Sequence, residues 1–115
     1  MTTLFAYKLL DHPAFRAWKE SGVYTGSPDD VRDGFIHLST AAQTAETAAR
    51  YFSAVDPLVV AMIDLAAVRD ALRWEPSRGG DLFPHVYSDI PYAAVAGHSV
   101  LRVGPDGRHV FPQGF

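Results

Sequence analysis

A single α+β domain spanning residues 1–115 is predicted by three features of the chain. Short apolar runs of strand length (residues 4–9, 58–63 and 83–87) alternate with Asp, Ser or Thr residues standing just ahead of helix-compatible segments. From residue 73 onward, strand-like segments outnumber helical ones. With 115 residues and 48% apolar side chains, the chain has material for one core and not for two. A domain of this size buries roughly 65% of the surface its unfolded form exposes.

The elements follow in order. Residues 4–9 read as an opening strand. Asp11-His12-Pro13 then starts a helix, because proline costs nothing in a first turn, where its missing N–H would be unpaired anyway. Ala14, Phe15 and Trp18 share a face of that helix, and Gly22 is its stop. Ser27-Pro28-Asp29-Asp30 repeats the start signal for a short turn of helix ended by Gly34. Residues 35–39 form a strand whose period of two places Phe35, His37 and Ser39 on one face and Ile36 and Leu38 on the other. Thr40 and Gln43 match a capping box, opening a helix with Ala45, Ala48, Ala49 and Phe52 as a small-residue buried face.

After Asp56-Pro57, residues 58–63 read as a central strand buried on both sides, and Asp64 caps a short helix with Leu65, Val68 and Leu72 on one face. Arg73-Trp74-Glu75 is extended. Residues 77–81 form a loop whose Gly79 and Gly80 permit a tight turn or close approach to a ligand. Residues 83–87 form a strand with Phe83, His85 and Tyr87 on one face, and Pro84 favours an edge or first position. Residues 98–103 and 108–111 make a hairpin about Gly104-Pro105-Asp106-Gly107.

Composition excludes several function classes. The chain has no cysteine, which removes disulfides, thiolate metal sites and a cysteine nucleophile. Ten Lys and Arg against thirteen Asp and Glu give a net charge of -3, a poor balance for neutralising nucleic-acid phosphates, so nucleic acid is not an expected partner. Lysine occurs only at Lys8 and Lys19, and the other cations are arginines. The N-terminal residues lack the pattern of a signal peptide, and no apolar run approaches the ~18 residues of a membrane span; the expected location is the cytoplasm. Phosphate-loop, dinucleotide-fingerprint, zincin and nucleophile-elbow motifs are all missing.

Two histidines stand out. His37 lies between Phe35 and Ser39, and His85 between Phe83 and Tyr87, each flanked at ±2 by side chains useful in a pocket. Such a histidine can bond a ligand, orient it or transfer a proton near neutral pH. For either one alone, a core histidine bonded to a backbone carbonyl is the first reading; two such placements, with Glu75 and Arg78 just ahead of the second, make a shared pocket its equal. Glu75, between Trp74 and Pro76, is a candidate acid–base or binding carboxylate, with a surface pair to Arg73 or Arg78 as the alternative. His37, His85 and Glu75 are also the composition of a two-histidine, one-carboxylate metal site, although their spacing is not diagnostic. His12, His98 and His109 read as surface or turn residues.

D-G-F-I-H-L-S-T-x-x-Q from Asp33 to Gln43 and W-E-x-S-R-G-G-x-x-F-P-H-V-Y from Trp74 to Tyr87 resemble the domain of unknown function 952 family. That resemblance implies an ADP-ribosyltransferase-like fold, a twisted, split, antiparallel-rich sheet with a few short helices and a cleft for NAD. The order is also similar to the catalytic domain of RNA 2′-phosphotransferases, whose H-x-H-L-S segment corresponds to residues 35–39 with Phe35 in place of the first histidine. The resemblance implies His37, Glu75 and His85 as catalytic residues. Ser39, Thr40, Arg78 and Tyr87 would bind NAD or a related nucleotide, with Gly79-Gly80 near the pyrophosphate. The first strand carries Tyr7-Lys8-Leu9, without the glycine with which ADP-ribosyltransferases grip nicotinamide. A non-catalytic binding module on the same fold is therefore the second reading, and a metal-dependent enzyme at His37, His85 and Glu75 the third.

Overall fold

The structure, a computed structural model, describes residues 3–113. Its longest strands explain the most apolar segment of the sequence. β1 (Phe5–Asp11) and β4 (Leu58–Asp64) pair antiparallel over their whole length, from Phe5 opposite Asp64 to Asp11 opposite Leu58. β8 (Val95–Leu101) pairs with the other side of β4, giving the order β1-β4-β8. β4 is apolar without alternation because both of its faces are covered. Val59, Ala61 and Ile63 join one hydrophobic cluster, and Leu58 and Val60 join another on the opposite side.

α1 (His12–Ser21) starts as expected. The Asp11 carboxylate accepts from the Ala14 N–H at 2.7 Å, and Gly22 closes the helix at φ 85°, a conformation that glycine adopts without a Cβ penalty. Phe15 and Trp18 are buried against the first cluster, with the Trp18 indole donating to the Ile90 carbonyl. β2 (Val23–Tyr24) follows and pairs with β7 (Ile90–Pro91). α2 (Pro28–Asp33) is closed by a capping box between Ser27 and Asp30 and ended by Gly34. α3 (Ala41–Tyr51) begins after Thr40, whose backbone N–H donates to Gln43 Oε1 at 3.0 Å.

The second sheet has the order β3-β6-β5, from β3 (Ile36–His37), β6 (Leu82–Val86) and β5 (Leu72–Pro76). β3 is only two residues long. At Ser39 the chain has crossed to the first sheet, where Ser39 and Tyr7 exchange both backbone hydrogen bonds at 2.8 Å. Residues 36–39 thus stitch the two sheets together along one line, and the site lies beside that seam.

Four expectations are corrected. Pro84 sits in the central strand of its sheet. Its carbonyl accepts from the Leu38 N–H, so its absent N–H faces the short β3 and costs the β5 ladder nothing. The buried face of α3 is Thr44 and Ala48, whereas Ala45 is exposed. The predicted strand at 108–111 contributes a single bridge, between Val103 and His109. His109 is buried, with Nε2 2.6 Å from the Val55 carbonyl.

Candidate functional site

The seam is fixed by one carboxylate. Asp30 occupies the third position of α2, where the capping box turns its side chain back toward Ser27, and it is 2% exposed. Oδ2 accepts from the Ser27 N–H at 2.9 Å and from Lys8 Nζ at 2.8 Å. Oδ1 accepts from the His37 backbone N–H at 3.1 Å and lies 2.6 Å from His37 Nδ1. Lys8 Nζ also donates to the His37 carbonyl at 3.0 Å. β1, α2 and β3 are therefore locked through a buried ion pair whose donors are all engaged. Burial alone would raise the Asp30 carboxyl. The contacts from His37, Lys8 and the Ser27 backbone outweigh it and hold the group well below the ordinary carboxylate range.

His37 and His85 are direct cross-strand partners in the β3–β6 pair, with ring centroids 5.5 Å apart and edge-to-face. The Phe35 ring stacks on His85 at 4.1 Å and touches His37 and Tyr87 as well. Each histidine has its own carboxylate. His37 lies between Asp30 at Nδ1 and Asp33 at Nε2, the latter at 3.0 Å. His85 Nδ1 is 2.7 Å from Glu75 Oε1, the same oxygen that accepts from the Tyr87 hydroxyl at 2.8 Å. These two contacts hold the Glu75 carboxyl below its ordinary value, the His85 bond first.

A carboxylate on Nδ1 selects the tautomer that donates there and leaves a lone pair on Nε2. Among the described residues His85 Nε2 has no protein partner. The residue is buried, 5% exposed. His85 lines a cleft of about 290 Å³ together with Lys8, Asp30, His37, Ser39, Thr47, Arg78 and Phe83. Arg78 sets its guanidinium 5.1 Å from the Phe83 ring centroid and donates to Thr47 Oγ1 at 3.3 Å. A second hollow, of about 570 Å³ beside Leu4, Leu72 and Trp74, contains no histidine and pairs apolar walls with Asp64 and Arg69.

Four of the residues singled out in the sequence thus meet in one cleft: His37, Ser39, Arg78 and His85. Three do not line it. Glu75 stands behind His85, bonded to its far nitrogen, and is paired with neither Arg73 nor Arg78. Tyr87 is exposed and bonded to Glu75. Thr40 lies at the start of α3, outside the cleft. No group of three or more His, Asp or Glu side chains among the described residues is placed to hold a metal ion, since the carboxylates bond the histidine nitrogens themselves. Sequence reasoning missed Lys8, Asp30 and Thr47. A usable signal existed for one of them: Lys8 is one of two lysines in the chain and interrupts an apolar strand.

No curated protein matches the sequence. Among solved structures, the crystal structure of protein CC0527 from Caulobacter crescentus is 37% identical, covers 92% of this chain and 93% of its own, and superposes with a TM-score of 0.87. The solution NMR structure of CC0527 covers 90% of each chain with a TM-score of 0.79. The model of the family described as protein of unknown function (DUF952) matches residues 9–98, which include Asp30, both histidines, Glu75 and Arg78 but not Lys8. With most of its length and both cleft histidines inside that match, the chain belongs to the DUF952 family.

Proposed function

We propose that the cleft binds NAD or a related nucleotide and that His85 transfers a proton there. The observation that carries this reading is a cleft-lining histidine whose Nδ1 is held by Glu75 and whose Nε2 has no partner among the described residues, facing a second carboxylate-held histidine. That is the geometry of a positioned acid–base group. Its support includes the place of the cleft, at the split between two antiparallel sheets, where an ADP-ribosyltransferase-like fold would hold its nucleotide. At about 290 Å³ the cleft lies at the small end of ligand sites, which run from roughly 300 Å³ upward. It suits a nucleoside or ribose-phosphate portion, with the remainder of a dinucleotide outside.

Each residue then has a part. Arg78, with the hydroxyls of Thr47 and Ser39 beside it, binds phosphate. Phe35 packs the two imidazoles in place. NAD supplies a pyridinium nitrogen able to take the bonding pair of its glycosidic bond. His85 Nε2 accepts the proton of the water or hydroxyl that adds at ribose C1′. Glu75 acts through His85 and is a positioning residue.

A binding module without turnover is the second reading. The observation favouring it is that Glu75 stands behind His85, and that among the described residues every carboxylate lining the cleft is already ion-paired. Nicotinamide release from NAD separates the two. On the catalytic reading, His85→Asn lowers release by about 10²–10⁴-fold, and equal release by the variant contradicts that role. Saturable NAD binding without release supports the module. Neither binding nor release overturns both readings.

A further inference from the structure

Every charge lining the cleft except one is matched within the same wall. Lys8 is held by Asp30, and Arg32 pairs with Asp29 and Asp33. Arg78 is the exception. Its carboxylate partner, Glu46, lies on the outer surface of α3 and not in the cleft wall, with Oε2 2.9 Å from Arg78 Nε. The same oxygen is 3.0 Å from Arg50 Nε. The two arginines differ in setting. The Arg78 side chain is 17% exposed, wedged between Phe83 and Thr47, while Glu46 and Arg50 are more than half exposed.

We propose that Glu46 is a built-in competitor for the anion subsite of the cleft, and that a phosphate or pyrophosphate group entering the cleft displaces it from Arg78. The guanidinium is fixed by packing, so it offers the same fork to either anion. The Glu46 side chain is on the surface, where such a pair is weak, and Arg50 keeps its carboxylate matched after release. A phosphate gains the guanidinium together with the Thr47 hydroxyl, and Ser39 Oγ stands 3.5 Å from Thr47 Oγ1 as a further donor. The exchange swaps one anion for another, so the cleft selects phosphorylated ligands over neutral nucleosides. This inference rests on the nucleotide reading above and adds its regulation.

Calorimetric titration with inorganic pyrophosphate, and in parallel with NAD, tests it. Glu46→Gln is expected to bind pyrophosphate about three- to fivefold tighter, the range that a surface pair of this kind can supply. Arg50→Gln is expected to bind about twofold weaker, because Glu46 then stays on Arg78, and Arg78→Gln is expected to lose binding. Glu20→Gln, an exposed carboxylate on another helix, controls for net charge and should match the parent. Pyrophosphate and NAD binding by Glu46→Gln equal to the parent's, with Arg78→Gln still losing it, overturns this inference and leaves the nucleotide reading standing. Failure of both probes to bind any variant overturns the two together.

Discussion

The two three-stranded sheets of this domain are built for different purposes. In β1-β4-β8 the central strand is seven residues long, covered on both faces and apolar from Leu58 to Ile63. In β3-β6-β5 the edge strand β3 is two residues long, and the sheet turns His37 and His85 to the cleft, with Phe35 packed on both rings and Glu75 behind His85. The first sheet buries hydrocarbon, which packs without directional demands. The second buries imidazole and places carboxylates against it, which is costly unless every polar atom is paired. Apolar burial is concentrated in one sheet and the titratable side chains in the other, and the Lys8–Asp30 pair joins them at the seam.

Breaking that joint should have the largest effect. Lys8→Met leaves the Asp30 carboxylate buried without its cation, and we expect a loss of about 3–5 kcal/mol in urea unfolding; a loss below 1 kcal/mol would remove the pair from its proposed role. Within the apolar sheet, Ile63→Ala should cost about 2–5 kcal/mol through lost burial and a cavity, yet leave ligand affinity at the other sheet unchanged in the folded fraction. A parallel change in affinity would mean that the division of labour is false.

Acid sharpens the same comparison. Asp30 is held below its ordinary range in the folded state. Its contribution is therefore complete above the unfolded value near pH 4 and is lost as pH falls through the lower folded value. Asp30→Asn should flatten the acid limb of the stability profile below pH ~4, and an unchanged limb would contradict the assignment. The smallest effect is expected at Thr40. Thr40→Ala should change stability by no more than about 1 kcal/mol, with no change in nucleotide titration, because the residue lies outside the cleft.

Much of this arrangement was legible in the sequence where local rules decide it. Alternation along residues 35–39 and 83–87 puts His37 and His85 on comparable faces, and pairing of β3 with β6 places them opposite each other. Capping chemistry located α1, α2 and α3. The parts that escaped depend on partners distant in the chain. Asp30 reads locally as a helix-start residue, and only Lys8, twenty-two positions earlier, makes it a buried ion. Glu75 has exposed or apolar neighbours in sequence, and its role is set by His85 on the adjoining strand. In α3 the alanines are too uniform to define a face, so Thr44, bonded to the Ala41 carbonyl, could replace Ala45 on the buried side without a visible change of pattern.

The central claim is that His37 and His85 open on one nucleotide cleft. Its most direct test is a titration of ¹⁵N-labelled protein with NAD, following backbone amides together with the imidazole nitrogens. Saturable shifts are expected, confined to residues 33–43 and 77–85, with the largest ring shift at His85 Nε2. No shift at millimolar NAD, or shifts confined to the hollow beside Leu4 and Trp74, would contradict it.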